Sequence, residues 1–230
     1  MSQLKKIILQ IPLVKPLLTV LIKRDKFTGS GDYWEKRYRE GGNSGSGSYN
    51  RLAEFKAEVL NEFVASRKIE SVIEFGCGDG NQLSLAKYPA YVGLDVSKKA
   101  LQICIERFKQ DATKSFFLYD SMVFCDNIKL FRIDLAISLD VIYHLVEDDI
   151  FEKYMHDLFN TAKKYVIIYS SNFDKKFTFY ETDRNFTAWI ESNIKGWKFV
   201  KKLDNRYPHD DADPDNTSRA DFYFYERISG

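Results

Sequence analysis

The sequence "VIEFGCGDGN" at residues 72–81 decides the fold prediction for this chain. An apolar run that reaches Glu74 gives way to three glycines at alternate positions, Gly76, Gly78 and Gly80. An apolar run that ends in glycines is typical of a buried β-strand followed by a tight loop. Glycine accepts positive φ angles and lets a ligand approach the main chain closely. We therefore predict a strand whose carboxyl end carries a ligand-binding loop.

Strand and helix patterns alternate along the chain after this point. Strands are predicted at "SVIEF", "AYVGLDV", "SFFLYD", "IDLAISLD" and "YVIIYSS", with helices at "NQLSLAK", "SKKALQICIERFKQ" and "DDIFEKYMHDLFNTAKK" between them. The alternation predicts an α/β fold, in which a doubly wound, mostly parallel sheet has helices on both faces. The final segments "GWKFVKKLDN" and "ADFYFYER" predict an antiparallel pair at one edge of the sheet. The result is a Rossmann-like, seven-stranded sheet with an antiparallel edge strand.

The N-terminal part of the chain predicts a helical lid. The Gly/Ser-rich stretch at residues 41–48 separates the pattern "GDYWEKRYRE", with Asp32 as its N-cap, from the helical pattern "YNRLAEFKAEVLNEFVASRK". We divide the chain into an N-terminal helical segment with its loop, residues 1–48, and a main domain, residues 49–230. Residues 5–24 are apolar and basic but broken by prolines, and their apolar run is too short to span a bilayer. They predict either packed helices or a peripheral membrane anchor.

Composition restricts the cellular context. The 34 basic and 33 acidic residues give a net charge of +1, which provides no reason to expect a polyanionic partner. The three cysteines show neither a metal-binding nor a disulfide pattern, and no metal site is predicted. We predict a cytoplasmic protein, with residues 5–24 as a candidate contact to the inner face of the membrane. The oligomeric state stays open.

The loop chemistry argues against a pyrophosphate ligand. The dinucleotide fingerprint is G-x-G-x-x-G, whereas here the third glycine comes one residue earlier. The carboxylates of Glu74 and Asp79 would repel a pyrophosphate. They suit a ligand that has a positive centre and an amino group.

These residues resemble motif I of the class I S-adenosyl-L-methionine-dependent methyltransferases, and further motifs support the resemblance between Ser71 and Ser171. Asp95 ends the second strand, 19 residues after Gly76, where an acidic side chain can accept hydrogen bonds from ribose hydroxyls. In "FFLYDS", Asp120 would bind the adenine amino group. The resemblance implies S-adenosyl-L-methionine as the cofactor. The implied cofactor-binding residues are Glu74, Gly76, Cys77, Gly78, Asp79, Gly80, Asn81, Asp95, Val96, Asp120, Ser121, Leu139 and Asp140.

Methyl transfer is an in-line displacement, so the protein has mainly to align the acceptor with the methyl group. A base is needed only where the acceptor loses a proton. His144, in "LDVIYHL" after the fourth strand, is the candidate base, and Tyr143 is a weaker candidate. The alternative for His144 is a packing role or a hydrogen bond to the main chain.

The acceptor is predicted to be a small polar molecule. Tyr49 and Arg51 are candidates for the methionine carboxylate of the cofactor or an anionic acceptor, or Arg51 forms a salt bridge on a helix face. The lid and the C-terminal loop resemble methyltransferases of bacterial capsule or O-antigen synthesis. That resemblance implies a sugar, a nucleotide-linked sugar, or a phosphate- or phosphoramidate-type group as acceptor. Candidate substrate-binding residues are Trp34, Tyr38, Arg206, Tyr207, His209 and Arg219, the last four in a loop that alternatively is a plain polar hairpin.

Nucleic acid is not expected as a substrate. Methyltransferases of base amino groups carry an Asn/Asp/Ser-Pro-Pro-aromatic run after the fourth strand, and this chain has "SLDVIYHL" there. Two other functions stay open. One is a catalytically inactive, cofactor-binding partner subunit, and the other is an NAD-dependent oxidoreductase on the same fold.

Overall fold

A computed structural model of the protein describes residues 27–228. The predictions for residues 5–24 therefore lie outside the described residues, and the division into 1–48 and 49–230 stays a prediction. The helices are α1 (Ser30–Arg39), α2 (Asn50–Ser66), α3 (Lys98–Arg107), α4 (Asp148–Thr161) and α5 (Phe186–Asn193). The strands are β1 (Val72–Phe75), β2 (Tyr91–Asp95), β3 (Lys114–Leu118), β4 (Ile133–Leu139), β5 (Ala162–Ser170), β6 (Lys175–Lys176), β7 (Thr182–Asp183), β8 (Trp197–Leu203) and β9 (Asp221–Arg227).

The central sheet confirms the predicted fold class. Its seven strands have the order β3-β2-β1-β4-β5-β9-β8. Strands β1 to β5 are parallel, whereas β9 is antiparallel to both β5 and β8 at one edge. The strand order reverses between β1 and β4, and a ligand crevice forms at such a switch point, outside the carboxyl ends of the strands.

Helices cover both faces of the sheet, as predicted. On one face, Ile73 and Phe75 of β1 belong to a core cluster with residues of α4 and α5, such as Met155 and Ile190. On the other face, Val72 belongs to a cluster with residues of α2 and α3. All four residues of β1 are buried because neither face of the strand meets water. The glycine-rich loop is therefore attached to a fully buried strand.

Local predictions were partly correct. Ser97 caps α3 as predicted, because its Oγ accepts a hydrogen bond from the Ala100 N–H over 3.0 Å. The predicted N-cap Asp32 is wrong. Helix α1 starts one turn earlier with Gly29 at the N-cap, and Asp32 lies in the first turn, where a carboxylate complements the helix dipole. The helix predicted after β1 is only a 3₁₀ turn, Gln82–Leu85.

The segment between β5 and β8 was not predicted as regular structure. It contains a short antiparallel hairpin of β6 and β7, followed by α5. The hairpin connection includes Tyr180, whose ring stacks on Tyr33 of α1 at 4.8 Å between centroids. This segment therefore meets the lid beside the crevice.

Within residues 27–228, no helix is both long and apolar enough to cross a membrane.

Candidate active site

A cavity of about 720 Å³ lies at the carboxyl ends of β1, β2 and β4, with α1 forming part of its wall. It occupies the switch point of the sheet, where the sequence placed the ligand. Thirteen of the predicted residues line the cavity. They are Trp34, Tyr38, Glu74, Gly76, Cys77, Gly78, Asp95, Val96, Asp120, Ser121, Leu139, Asp140 and His144.

The three glycines of the loop adopt positive φ angles of 85° (Gly76), 57° (Gly78) and 72° (Gly80). A side chain at Gly76 would collide with Val141, and one at Gly78 would collide with Ser44. A side chain at Gly80 would meet α3 instead. The missing side chains thus first make room for the protein's own groups. Gly76 and Gly78 also line the cavity, and the close approach of a ligand to the main chain there stays a prediction.

Asp79 holds the lid rather than facing the cavity. Its carboxylate accepts hydrogen bonds from the Tyr49 hydroxyl over 2.8 Å and from the Ser44 N–H over 3.1 Å. Asn81 completes this contact, since its Nδ2 donates to the Ser48 carbonyl over 2.8 Å. Asp79, Gly80, Asn81 and Tyr49 therefore do not line the cavity, contrary to the prediction that they bind the cofactor directly. They connect the glycine loop to the Gly/Ser-rich loop.

Helix α1 is fixed at both ends and along its length. The Ser30 N–H donates to Glu147 over 2.9 Å at its N-terminus. In the middle, Glu35 accepts a hydrogen bond of 2.7 Å from the Ser97 hydroxyl. Near its C-terminus, the Tyr38 and Ser44 hydroxyls lie 2.8 Å apart. These contacts hold the helix as a cover over the cavity.

Two buried carboxylates face the cavity. Asp95 accepts hydrogen bonds of 2.8 Å from the Gly78 and Ser97 N–H groups, and burial raises its pKa to about 6. Glu74 accepts a hydrogen bond of 2.7 Å from the Tyr91 hydroxyl, and burial raises its pKa to about 7. Both groups would be stabilised in their charged form by a cationic ligand.

His144 lies in the 3₁₀ turn Ile142–His144 that follows β4. Its Nδ1 is 3.2 Å from the Tyr180 carbonyl oxygen. Because a carbonyl can only accept, we assign the proton to Nδ1, which leaves Nε2 with a free lone pair. Burial lowers the pKa of His144 to about 4, so the ring is neutral at pH 7. Its neighbour Trp34 contacts the ring edge-to-face at 4.9 Å between centroids.

Tyr143 does not line the cavity, in contrast to the prediction of a catalytic role. Its hydroxyl donates to Asp140 over 3.2 Å. Burial raises the pKa of Tyr143 well above its usual value, so the hydroxyl keeps its proton at neutral pH. Its position therefore indicates a supporting role for the turn.

Most residues of helix α2 and the C-terminal loop that were predicted to bind the cofactor or the acceptor do not face the cavity. Arg51 donates to the Asn216 carbonyl over 2.6 Å and pairs with Asp213 over 3.1 Å, so it neither lines the cavity nor faces the cofactor position. Arg206 pairs with Glu58 on the outer side of α2.

Tyr207 packs against Phe55, and His209 bonds Asp211 at the surface. These two residues belong to a polar loop and do not line the cavity. Arg219 lies 3.7 Å from Glu181 and 3.6 Å from Asp183, next to the hairpin connection that contains Tyr180, but it is outside the cavity wall.

Two buried residues at the site were missed. Lys56 of α2 is fully buried, and its Nζ lies 2.6 Å from Asp140. The signal was present, since Lys56 is four residues from both Leu52 and Leu60 and so occupies the buried stripe of the helix. Gln82 lines the cavity, and its Oε1 is buried without a hydrogen-bond partner. No sequence signal distinguished Gln82 from a helix-surface residue.

No family model matches the chain. The N-methyltransferase NodS from Bradyrhizobium japonicum WM9, solved with S-adenosyl-L-homocysteine, superposes with a TM-score of 0.68 at 14% identity, over 87% of this chain and 100% of NodS. The fold is that of a class I S-adenosyl-L-methionine-dependent methyltransferase. The methyltransferase domain of bacterial CtHen1-C superposes with a TM-score of 0.59 at 22% identity, over 76% of this chain and 97% of that domain. The S-adenosyl-L-homocysteine bound to NodS supports S-adenosyl-L-methionine as the cofactor of this methyltransferase fold.

A curated relative corrects the partner prediction. The small RNA 2'-O-methyltransferase of Arabidopsis thaliana is 29% identical over 108 residues, which are 42% of this chain and 12% of the relative. The chain thus spans about an eighth of the length of this relative. The prediction that nucleic acid is not a partner is therefore wrong. It failed because net charge averages over the whole surface, and because the missing proline motif concerns base amino groups and not ribose oxygens.

Proposed function

We propose that the protein transfers a methyl group from S-adenosyl-L-methionine to a hydroxyl group of a sugar. The observation that carries this proposal is His144, whose Nδ1 faces a carbonyl oxygen while the ring lines the cavity. A neutral imidazole with a free Nε2 is suited to receive the proton of a hydroxyl. An acceptor that is already an anion, such as a phosphoramidate oxygen, would have no use for this base.

The residues around the cavity fit an adenosyl amino acid. Asp95, at the end of β2, can accept hydrogen bonds from ribose hydroxyls. The unpartnered Oε1 of Gln82 can accept from an ammonium group, and the Glu74 carboxylate adds negative charge to the same cavity. The cavity volume of about 720 Å³ is in the range of ligand sites that hold a drug-sized molecule.

The bound cofactor would supply an electrophilic methyl group on a positively charged sulfur. In that chemistry the acceptor hydroxyl oxygen would bond to the methyl carbon, and the electron pair of the broken carbon–sulfur bond would remain on sulfur. As its oxygen bonds carbon, the hydroxyl becomes strongly acidic, so even a base whose pKa is near 4 can accept its proton. His144 Nε2 takes that proton, and the Tyr180 carbonyl keeps the ring oriented through Nδ1.

The sugar has two candidate sources. The resemblance of the lid and C-terminal loop to capsule and O-antigen methyltransferases supports a free, nucleotide-linked or polysaccharide sugar in capsule biosynthesis. The second candidate is the ribose 2'-hydroxyl of RNA, which the similarity to the small RNA 2'-O-methyltransferase favours. Both sources present the same chemistry to His144, namely a neutral hydroxyl on a sugar ring.

An acceptor screen tests the proposal and separates the two sources. Purified protein would be incubated with S-adenosyl-L-methionine labelled in its methyl group. The acceptors would be nucleotide sugars, capsular oligosaccharides, an RNA oligonucleotide, and the same RNA with a terminal 2'-deoxynucleotide. We expect label in a sugar hydroxyl of one class, and for RNA a loss of label with the deoxy form.

Label in an amino group or a phosphate oxygen would contradict the sugar-hydroxyl proposal. Cofactor binding without transfer to any acceptor would favour the inactive partner subunit. Affinity for NAD without affinity for S-adenosyl-L-homocysteine would favour the oxidoreductase.

A further inference from the structure

A buried ion pair includes Asp140, four residues before the proposed base His144. Lys56 Nζ of α2 is 2.6 Å from Asp140 Oδ2, and the side chains are 0% and 11% exposed. Removing two charges from water costs several kcal/mol per ion, so an apolar pair of similar volume is often equally stable. The pair therefore calls for an explanation other than stability. Its partners are 84 positions apart in the sequence, and the pair connects the helix before the sheet to the turn after β4.

Asp140 holds the turn that carries His144. Its φ angle is 58°, an uncommon conformation for a residue other than glycine. Its N–H donates to the Tyr169 carbonyl over 2.9 Å, and its Oδ1 accepts from the Tyr143 hydroxyl over 3.2 Å. Strained backbone of this kind persists where surrounding contacts over-determine it, and it is common at functional sites. Here the contacts come from Lys56, Tyr143 and Tyr169.

The Asp140 carboxylate of this pair also lies next to the Gly/Ser-rich loop of the lid. A side chain added at Gly47, in the Gly/Ser-rich loop, would contact the Asp140 carboxylate at 2.8 Å. The carboxylate thus lies between the lid loop, helix α2 and the catalytic turn. Any displacement of Asp140 would move the main chain four residues before His144.

We propose that Lys56 is a positioning residue for methyl transfer, which fixes Asp140 and through it the turn that presents His144 Nε2 to the acceptor. This inference rests on the proposed role of His144 as the base. It assigns no contact between Lys56 and substrate. A misplacement of about 1 Å at a catalytic group can lower a rate by about 100-fold, so a fixed turn has a large effect on turnover.

Two variants separate positioning from simple stabilisation. Lys56→Met removes the cation, and Lys56→Met/Asp140→Asn removes both charges while keeping a residue type that tolerates positive φ. Lys164→Met is the matched control, because Lys164 pairs with Asp134 over 3.1 Å at the other end of β4. Each variant is compared in thermal midpoint, affinity for S-adenosyl-L-homocysteine, kcat, and the ¹⁵N shifts of the His144 imidazole. The ¹⁵N signals are assigned with a His144→Gln variant, since the chain has only three histidines.

We expect Lys56→Met to keep the wild-type affinity for the product, and the double variant to recover most of the thermal midpoint that Lys56→Met loses. The kcat of the double variant should still fall by about 10- to 100-fold, and the ¹⁵N shifts should show a mixture of tautomers in place of the Nδ1–H form. The control should match the wild type in all four measurements. Unchanged ¹⁵N shifts in both Lys56 variants would overturn the proposal.

The ¹⁵N measurement needs no acceptor, so it decides the role of Lys56 even if no methyl transfer is found. If no methyl transfer is found, the proposed function is wrong, but the ¹⁵N result on Lys56 still stands.

Discussion

The Nδ1 atom of His144 lies 3.2 Å from the main-chain oxygen of Tyr180, a residue of the hairpin connection between β6 and β7. This contact determines which imidazole nitrogen is free, because the carbonyl requires the proton on Nδ1. The β6–β7 hairpin, which forms a separate two-stranded sheet, thus contributes to the chemistry of the turn after β4. The proposed proton transfer to His144 Nε2 depends on this contact.

Replacing His144 by Ala should lower kcat at saturating cofactor by about 10²- to 10⁴-fold, the range of general base catalysis. The affinity for S-adenosyl-L-homocysteine should change little, because the base faces the acceptor. The matched control is His156→Ala in α4, where the ring packs on Trp189. Turnover of His144→Ala within a factor of about two of the wild type would remove the proposed base.

The affinity for S-adenosyl-L-homocysteine should rise with pH. Burial raises the pKa of Asp95 to about 6 and that of Glu74 to about 7, so both carboxyl groups are partly protonated near pH 6 in the free protein. The ammonium group of the product favours the charged form of Glu74, and the ribose hydroxyls, as hydrogen-bond donors, favour the charged form of Asp95. Binding therefore releases protons, and affinity increases as pH rises through both pKa values.

Calorimetry at pH 5.5 and pH 8 should show an increase of about tenfold, with proton release visible as a dependence of the heat on the buffer. Equal affinity for S-adenosyl-L-homocysteine at pH 5.5 and pH 8 would show that the pKa values of Asp95 and Glu74 are not raised by burial. In contrast, kcat should not depend on His144 ionisation above about pH 5, because burial lowers the pKa of His144 to about 4.

Ser44→Ala should weaken the closure of the lid. The Ser44 hydroxyl accepts from the Asp79 N–H over 3.0 Å and lies 2.8 Å from the Tyr38 hydroxyl. Losing both contacts should cost about 1–3 kcal/mol, measured as faster dissociation of the product in stopped-flow experiments. Ser46→Ala in the same loop is the control, since Ser46 is exposed. Identical dissociation rates in the two variants would show that Ser44 does not hold the lid.

Gly78→Ala should abolish cofactor binding for a steric reason. The new side chain would collide with Ser44 and lie 2.9 Å from the Tyr38 hydroxyl, on a residue whose φ is 57°. Gly41→Ala introduces the same kind of backbone strain at a φ of 83°, with no atom within 4 Å. Each variant should lose about 1–2 kcal/mol of stability from the backbone alone. Only Gly78→Ala should also lose product affinity in titration calorimetry, and equal affinities would refute the steric explanation.

The sheet and the location of the cavity could be predicted from the sequence because they depend on local patterns. Alternating apolar strands and amphipathic helices determine the layers, and the glycines after β1 mark the switch point. Asp95 and His144 line the cavity, and the sequence indicated this edge because Asp95 ends β2 and His144 lies in the turn after β4, two strands that are easy to recognise. Their roles stay predictions.

The partners of the polar residues could not be predicted in the same way. Asp79 bonds the lid, and Arg51 bonds the C-terminal loop 162 residues away at Asp213. Lys56 pairs with Asp140 across the fold. Such contacts depend on how distant elements come together, and residue type alone does not determine them. The same limit applies to the acceptor, since a net charge carries no information about a local binding surface.

The most direct test of the central claim is a calorimetric titration of the wild-type protein and of Asp95→Asn with S-adenosyl-L-homocysteine at pH 8. We predict one site per chain for the wild type and a loss of affinity of about tenfold or more for Asp95→Asn, because the charged ribose acceptor is removed. An absence of heat with the wild type, or equal affinity of the two proteins, would contradict the assignment of this cavity to S-adenosyl-L-methionine.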